Sequence, residues 1–291
     1  MPSLKEIKGR INSVKSTQKI TSAMKMISSA KLRKAQSRVE HFLPYQERLT
    51  LMLNGFLSSE SSSYSSPLSQ QREVKRVALV VYSSNSSLCG AFNSNVINLL
   101  TKTVNEYAKA NVEVEVYPIG KKIEEATHKS TRKFQIKGSY ISLMDKPQFA
   151  GAKEIADDLV NDFLAKKIDR VVLIYNHFKS TAVQVPTSET FLPVELKKGR
   201  EALPVAADYI IEPDKQTLFD VLIPKSLKTK IYSVLLDSAA AEQAARMVAM
   251  QIATDNADDL LNNLSIQFNK QRQQAITSEL LDIIGGSEAL K

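Results

Sequence analysis

The chain has 291 residues, of which 43% are hydrophobic and 24% charged, and its formal net charge is +8. This composition excludes a disordered chain and favours one or two globular domains. The longest apolar runs, such as VALVVY at 77–82, are too short to span a bilayer. We expect no secretory signal, because Lys and Arg interrupt the first apolar residues. The lone Cys89 excludes an internal disulfide and indicates a reducing, cytosolic compartment.

The positive charge is concentrated near the start of the chain. Nine Lys and Arg residues and no acid lie between Ile7 and Val39, so the other 258 residues together carry −1. A localised positive segment of this kind indicates an acidic partner: nucleic acid, an anionic membrane or an acidic protein surface.

The first ~55 residues are expected to form one long helix, capped by Ser3 with Glu6 three residues later. Apolar residues follow a heptad at both ends of this segment, at Leu4, Ile7, Ile11 and Val14 and again at Leu32, Ala35, Val39 and Phe42. In between, the heptad positions are polar (Gln18, Thr21, Lys25 and Ser28), whereas apolar residues occupy a shifted stripe (Ile20, Ala23, Ile27 and Ala30). We interpret this as a slip of the register, and we expect Pro44 to bend the helix.

A Ser-rich segment at 58–67 is predicted to be a linker, and alternating strands and helices follow it. Strands are expected at 74–84, 112–119, 133–141 and 169–178, helices at 90–109, 120–130 and 150–167, and an extended, antiparallel piece at 181–196. This alternation favours a Rossmann-like α/β domain with a mostly parallel sheet.

From Pro213 onward the chain is predicted to be helical up to Gly285-Gly286, which should end the helix. Its apolar stripe is expected at Ala241, Ala245, Val248, Ile252, Leu260, Leu264 and Phe268. Two helices of such length cannot be buried in an ordinary core, so we expect a long antiparallel coiled coil of the N- and C-terminal helices beside the α/β domain. The divisions are 1–57 (helix), 58–73 (linker), 74–212 (α/β domain) and 213–291 (helix).

The expected pairing of the two helices follows if residue 56 lies near residue 214. Ser3 would then lie near residue 267 and Lys25 near residue 245, close to Arg246. The last ~20 residues would project as a single helix with an apolar tip, which needs another protein around it.

The segment LCGAFNSN (88–95) is the one candidate for chemistry at a strand-to-helix turn. Cys89 could be a nucleophile, but none of the three histidines stands in a recognisable base motif, and we favour a buried structural residue. The loop lacks the glycine pattern of a phosphate site, and no residues have metal-ligand spacing. We therefore expect no catalytic residue, cofactor or metal.

The basic helix has three possible partners. Its lack of aromatics before Phe42 speaks against nucleic acid, and its Ala/Ile/Met stripe speaks against a membrane surface. An acidic protein surface fits best, and a stand-alone coiled coil that binds nucleic acid remains the alternative.

The sequence resembles a known family over its whole length. SLKEIKGRINSVKSTQKITSAMKMISSAKLRKAQ (3–36) is similar to the N-terminal helix of the gamma subunit of F-type ATP synthases. AAEQAARMVAMQIATDNADDLL (240–261) and QAITSELLDIIGGSEAL (274–290) resemble its C-terminal helix, SSLCGAFNSN (86–95) its α/β loop and YIIEP (209–213) the lead into its last helix. Ser87 stands where the family pattern has glycine, and Ser287 stands where it has alanine. These two differences are local and leave the resemblance intact.

The resemblance implies a central rotor shaft that couples proton or other ion flow to ATP synthesis or hydrolysis on the beta subunits and is not itself catalytic. It implies the alpha and beta subunits, epsilon and the c-subunit ring as partners, and no nucleic acid. It also implies a peripheral position on the cytoplasmic face of a bacterial inner membrane.

The resemblance also carries contact residues onto this chain. Contact with an acidic loop of beta is expected at Met24, Lys25, Met26 and Arg246, and more weakly at Lys31, Arg33 and Lys34. The tip residues expected inside the alpha/beta sleeve are Glu279, Leu280, Ile283 and Ile284.

Overall fold

The computed structural model describes residues 3–58, 66–130, 134–194, 212 and 214–289. The chain divides into two compact units. The terminal unit joins Met1–Ser29 to Arg246–Lys291, and the central unit comprises Ala30–Ala245. Residues 59–65 of the predicted linker (58–73) and most of the YIIEP motif lie outside the described residues.

A five-stranded sheet with the order β3-β2-β1-β4-β5 forms the middle of the central unit. Its strands are β1 (Arg76–Tyr82), β2 (Glu113–Ile119), β3 (Gln135–Ile136), β4 (Arg170–Phe178) and β5 (Gln184–Leu192). The first four strands pair in parallel, and β5 pairs antiparallel with β4. The central strands are apolar on both faces because helices cover both sides, as in other parallel sheets. The predicted Rossmann-like α/β class is confirmed.

The helices of this unit are α2 (Phe92–Lys109), α3 (Lys121–Lys129), α4 (Ile141–Asp145) and α5 (Phe149–Leu164). The strand predicted at 133–141 is mostly wrong, because among its described residues, 134–141, only Gln135 and Ile136 pair with β2. Gly138 has a φ of 69°, which ends the extended conformation, and α4 follows at Ile141.

Two long helices bracket the sheet in the sequence: α1 (Leu4–Ser58) and α6 (Lys215–Ala289). At the start of α1, the Ser3 amide donates to Glu6 Oε2 at 3.0 Å and the Glu6 amide donates to Ser3 Oγ at 3.3 Å, which confirms the capping box. At the start of α6, the Thr217 amide donates to Asp214 Oδ1 at 2.8 Å, and this bond lowers the pKa of the Asp214 carboxyl.

The prediction that Gly285-Gly286 ends the last helix is wrong, since α6 continues to Ala289. Glycine lowers helix propensity but keeps its N–H group, so it stops a helix only where it adopts a left-handed cap. Pro44 lies inside α1 and Pro224 inside α6 without ending either helix. Within the described ranges, no helix combines the length and apolarity that crossing a membrane requires.

The predicted register slip in α1 is wrong. Thr21 and Ser28 are 8% and 2% exposed, whereas Ile20 and Ile27 are 60% and 57% exposed. The heptad of α1 therefore continues without interruption through the terminal unit, and its middle positions are polar. Thr21 Oγ1 lies 2.8 Å from Thr254 Oγ1, so the seam tolerates these hydroxyls because they pair across it.

The predicted pairing between the two helices is shifted by about five residues. Thr21 pairs with Thr254, and the Gln18 amide donates to the Asp258 carboxylate. Extended along the antiparallel pair, this register places position 25 opposite Met250, not opposite residue 245. The predicted pairing started from the assumption that residue 56 lies near residue 214, which no local pattern in the sequence fixes.

The stripe predicted for the last helix is right in part. Leu264 is 6% exposed and Ala241 fully buried, but Ile252 and Leu260 are 55% and 47% exposed. In their place, Met250 and Ala257, which are 4% and 7% exposed, occupy the buried face of the terminal unit.

Candidate functional site

The carboxyl end of β1 is the position where a sheet of this type would bind a nucleotide. From β1 the chain runs outward through β2 to β3 and then returns to β4 on the other side of β1, and this reversal of strand order leaves a crevice at the carboxyl end of β1. The loop at 83–91 follows β1 at this position, and its two left-handed residues are Leu88 and Gly90.

The backbone amides at the start of α3 already have acceptors within the chain. The Lys121 amide donates to Asn85 Oδ1 at 3.0 Å, and the Lys122 amide donates to the Ser84 carbonyl at 3.1 Å. The Ile123 amide donates to Ser83 Oγ at 2.9 Å. A phosphate bound at a helix N-terminus needs such amides, and here side chains and backbone of the loop hold them.

Cys89 is 1% exposed and belongs to a buried cluster with Phe92, Ala241 and Ala245. The Asn93 amide group donates to Cys89 Sγ at 3.2 Å and to Ser84 Oγ at 2.8 Å, while Asn93 Oδ1 accepts from the Ser84 amide at 3.0 Å. These contacts support the structural interpretation of Cys89, because its sulfur is enclosed and hydrogen-bonded. The loop is a packing surface for α6.

The residues predicted to contact a partner differ in their exposure. Lys25 and Met24 are half-buried, and Met26 is 65% exposed. Lys31, Arg33 and Lys34 of the central unit are all exposed. Arg246 is only 7% exposed, so other residues of this chain already cover most of its side chain.

The C-terminal tip of α6 is apolar and exposed, as the sequence indicated. Leu280, Ile283 and Ile284 are 54%, 68% and 57% exposed, and Glu279 is exposed beside them. A single helix with this much apolar surface is typical of a segment that another protein surrounds.

Part of the exposed apolar surface of the terminal unit was not predicted from the sequence. Ile20, Ile27, Ile252 and Leu260 were assigned to seams but face outward, and Ile266 is 67% exposed. A continuous heptad count along α1 would have shown this, because Ile20 and Ile27 never coincide with its a and d positions. Among the described residues, no cluster of His, Cys, Asp or Glu could hold a metal ion.

A protein family described as ATP synthase matches residues 3–290. The gamma chain of ATP synthase from Azobacteroides pseudotrichonymphae is 54% identical over 292 residues, which cover all of both chains. The gamma chain from Phocaeicola vulgatus is 53% identical over 99% of this chain and 100% of its own. The chain belongs to the ATP synthase gamma chain family. These relatives give no support to a stand-alone nucleic-acid-binding protein.

Solved structures show the same fold. A chain of the mitochondrial ATP synthase of Euglena gracilis, in an assembly that includes F1 and the c-ring, aligns with a TM-score of 0.63, covering 99% of this chain and 94% of that one at 19% identity. A chain from the central stalk and c-ring of the Tetrahymena thermophila enzyme aligns with a TM-score of 0.56, covering 80% and 99% at 24% identity. A fold with long N- and C-terminal helices and a central α/β sheet is thus shared with these chains.

Proposed function

We propose that the chain is the central-stalk rotor subunit of an ATP synthase, which couples ion flow through a membrane ring to ATP synthesis or hydrolysis on the beta subunits. The observation that carries the proposal is the relationship to gamma chains over the full length of both sequences. The exposed apolar and basic side chains of the terminal unit supply the surface that a surrounding ring of alpha and beta subunits would contact. The chain is proposed to do no bond-making chemistry of its own.

The proposed partners are the alpha and beta subunits, the epsilon subunit and the c-subunit ring. The complex would place the chain peripherally on the cytoplasmic face of a bacterial inner membrane. Met24, Lys25, Met26 and Arg246 are proposed to contact an acidic loop of beta, with weaker contributions from Lys31, Arg33 and Lys34. Glu279, Leu280, Ile283 and Ile284 are proposed to turn inside an apolar sleeve.

Reconstitution of the chain with purified alpha and beta subunits tests the proposal. We expect a stable complex whose ATP hydrolysis depends on the chain. If the three proteins do not associate, or if the chain adds no hydrolysis to the alpha and beta mixture, the rotor proposal is wrong. Tight binding of the isolated chain to duplex DNA at physiological salt would instead favour the nucleic-acid alternative.

The substitution Lys25→Glu tests the contact with beta. Like charge against an acidic loop costs up to a few kcal/mol, so we expect ATP-driven ion pumping to fall by about fivefold or more. Hydrolysis should fall less, because it does not require torque to reach the membrane. Lys15→Glu is the matched control, since it makes the same charge change at an exposed position of the same helix. Equal losses in both variants, or none in Lys25→Glu, would contradict the contact.

A further inference from the structure

The central unit buries α6 deeply. The α6 residues in the same apolar core as the sheet are each between 1% and 6% exposed, and they are Phe219, Ile223, Leu227, Ile231, Val234 and Leu235. Their spacing follows one face of the helix over more than four turns. Among the described side chains of α1, Leu53 belongs to this core.

The helix α1 contacts α6 in this unit. The rings of Phe42 and Tyr232 meet edge to face at 4.9 Å, and Lys225 Nζ lies 5.8 Å from the ring centre of Tyr45. Between α1 and β4, a groove of about 430 Å³ lies open, with Val39 on one wall and His177 on the other. The packing order over this stretch is therefore sheet, α6, α1.

Polar contacts flank the buried face of α6 on both sides. Asp237 Oδ1 accepts the Phe178 amide at 3.0 Å, and Asp237 Oδ2 lies 2.7 Å from His177 Nδ1, so this carboxylate attaches α6 to the end of β4. Lys230 Nζ lies 2.9 Å from Glu189 Oε1 of β5. On the other side, Lys228 Nζ lies 2.7 Å from Asp157 Oδ1 of α5.

The positions of these residues around the axis of α6 determine whether their contacts can oppose rotation of the helix. Lys230 and Asp237 are seven residues apart and share one side of α6, whereas Lys228 lies about half a turn away from Asp237 around the helix axis. The buried apolar face already opposes rolling, because rotation would bring its side chains into water and break their close packing. Contacts on both flanks oppose rolling in either direction.

We infer that the central unit holds α6 against rotation about its own axis, and that Asp237 is the positioning residue of this attachment. In the proposed rotor, torque would then pass between the α/β sheet and the shaft through α6, and α1 would follow by its contact with α6. The role in torque rests on the proposed function, whereas the attachment of α6 through Asp237 does not depend on it.

Asp237 differs from the other flanking residues in what it binds. Its partners are a backbone amide and a side chain that directly follow the buried part of β4, so it fixes a strand end and not merely a mobile side chain. Lys228 and Lys230 reach exposed or half-buried carboxylates, and such ion pairs contribute little when solvated. We therefore expect Asp237 to contribute most.

The test uses the complete complex in inverted membrane vesicles and compares ions pumped per ATP hydrolysed. Asp237→Leu removes both acceptors, and we expect the ratio to fall by about twofold or more while hydrolysis persists. Glu47→Leu is the matched control, because it removes an exposed carboxylate from α1. Combining Asp237→Leu with Lys228→Met should lower the ratio by more than the product of the single effects, since both flanks are then released.

Two further readouts keep the inference testable if Asp237→Leu assembles poorly. Asp237→Asn keeps one acceptor and should give an intermediate ratio. Amide hydrogen exchange at Phe178 should accelerate in both variants of the isolated chain, and more in Asp237→Leu. An unchanged pumping ratio in Asp237→Leu, or effects that simply multiply across the two flanks, overturns the inference. Failure of the unsubstituted chain to form a complex would instead overturn the proposed function.

Discussion

The substitution Gly120→Ala is expected to destabilise the central unit by about 3 kcal/mol or more. Gly120 links β2 to α3 with a φ of 104°, a conformation that L side chains rarely adopt. A Cβ atom there would also collide with the backbone carbonyl group of Ser83. That carbonyl cannot move away easily, because the Ser83 amide is bound to the Ile119 carbonyl at 2.8 Å and Ser83 Oγ to the Ile123 amide.

Equilibrium urea unfolding, followed by near-ultraviolet circular dichroism of the buried tyrosines, measures this effect. Gly9→Ala is the matched control, because Gly9 lies within α1 and a Cβ there has no neighbour within 4 Å. The control should leave stability unchanged or raise it by up to about 1 kcal/mol, as expected for alanine in a helix. Similar urea midpoints for the two variants would show that the Ser83 carbonyl group does not lie close to Gly120.

The second large effect is expected for Ala241→Leu. Ala241 is fully buried against Cys89 and Phe92, and its small side chain lets α6 approach the loop closely. A leucine would overpack this contact, and we expect a loss of about 2–3 kcal/mol in the free energy of unfolding. Backbone amides of residues 83–93 should also exchange their hydrogens faster in this variant.

Ala23→Leu provides the control for this substitution. Ala23 is exposed on α1, so the same change adds a side chain to a helix without filling a packed site. It should change stability by less than about 0.5 kcal/mol. If Ala241→Leu is tolerated equally well, the loop does not pack on α6 as described, and the structural interpretation of Cys89 loses its support.

The elements with a strong local signal were predictable from the sequence. The buried strands β1 and β4 are continuous apolar runs, and the Ser3–Glu6 pair is a local capping motif, so both follow from a few adjacent residues. The Gly285-Gly286 prediction failed for the opposite reason. Whether glycine ends a helix depends on the conformation that it adopts, which residue type alone does not determine.

The seam of the terminal unit could not be predicted from hydrophobicity, because its middle positions are polar. The buried hydroxyl of Thr21 pairs with that of Thr254, and these residues are 233 positions apart in the sequence. The exposure of the residues expected to contact a partner was predicted correctly for some of them and not for others. The tip and Met26 are exposed as expected, whereas the burial of Arg246 depends on packing that spacing does not reveal.

The polar seam also has a consequence during protein synthesis. The two halves of the terminal unit end and resume at Ser29 and Arg246, so the first half leaves the ribosome long before the second exists. At ordinary elongation rates this delay is on the order of tens of seconds. A nascent helix with an uninterrupted apolar seam would expose an aggregation-prone surface throughout that time. Threonine, serine and glutamine at its middle positions, together with a uniformly positive charge, should keep neighbouring nascent chains apart until the partner helix is made.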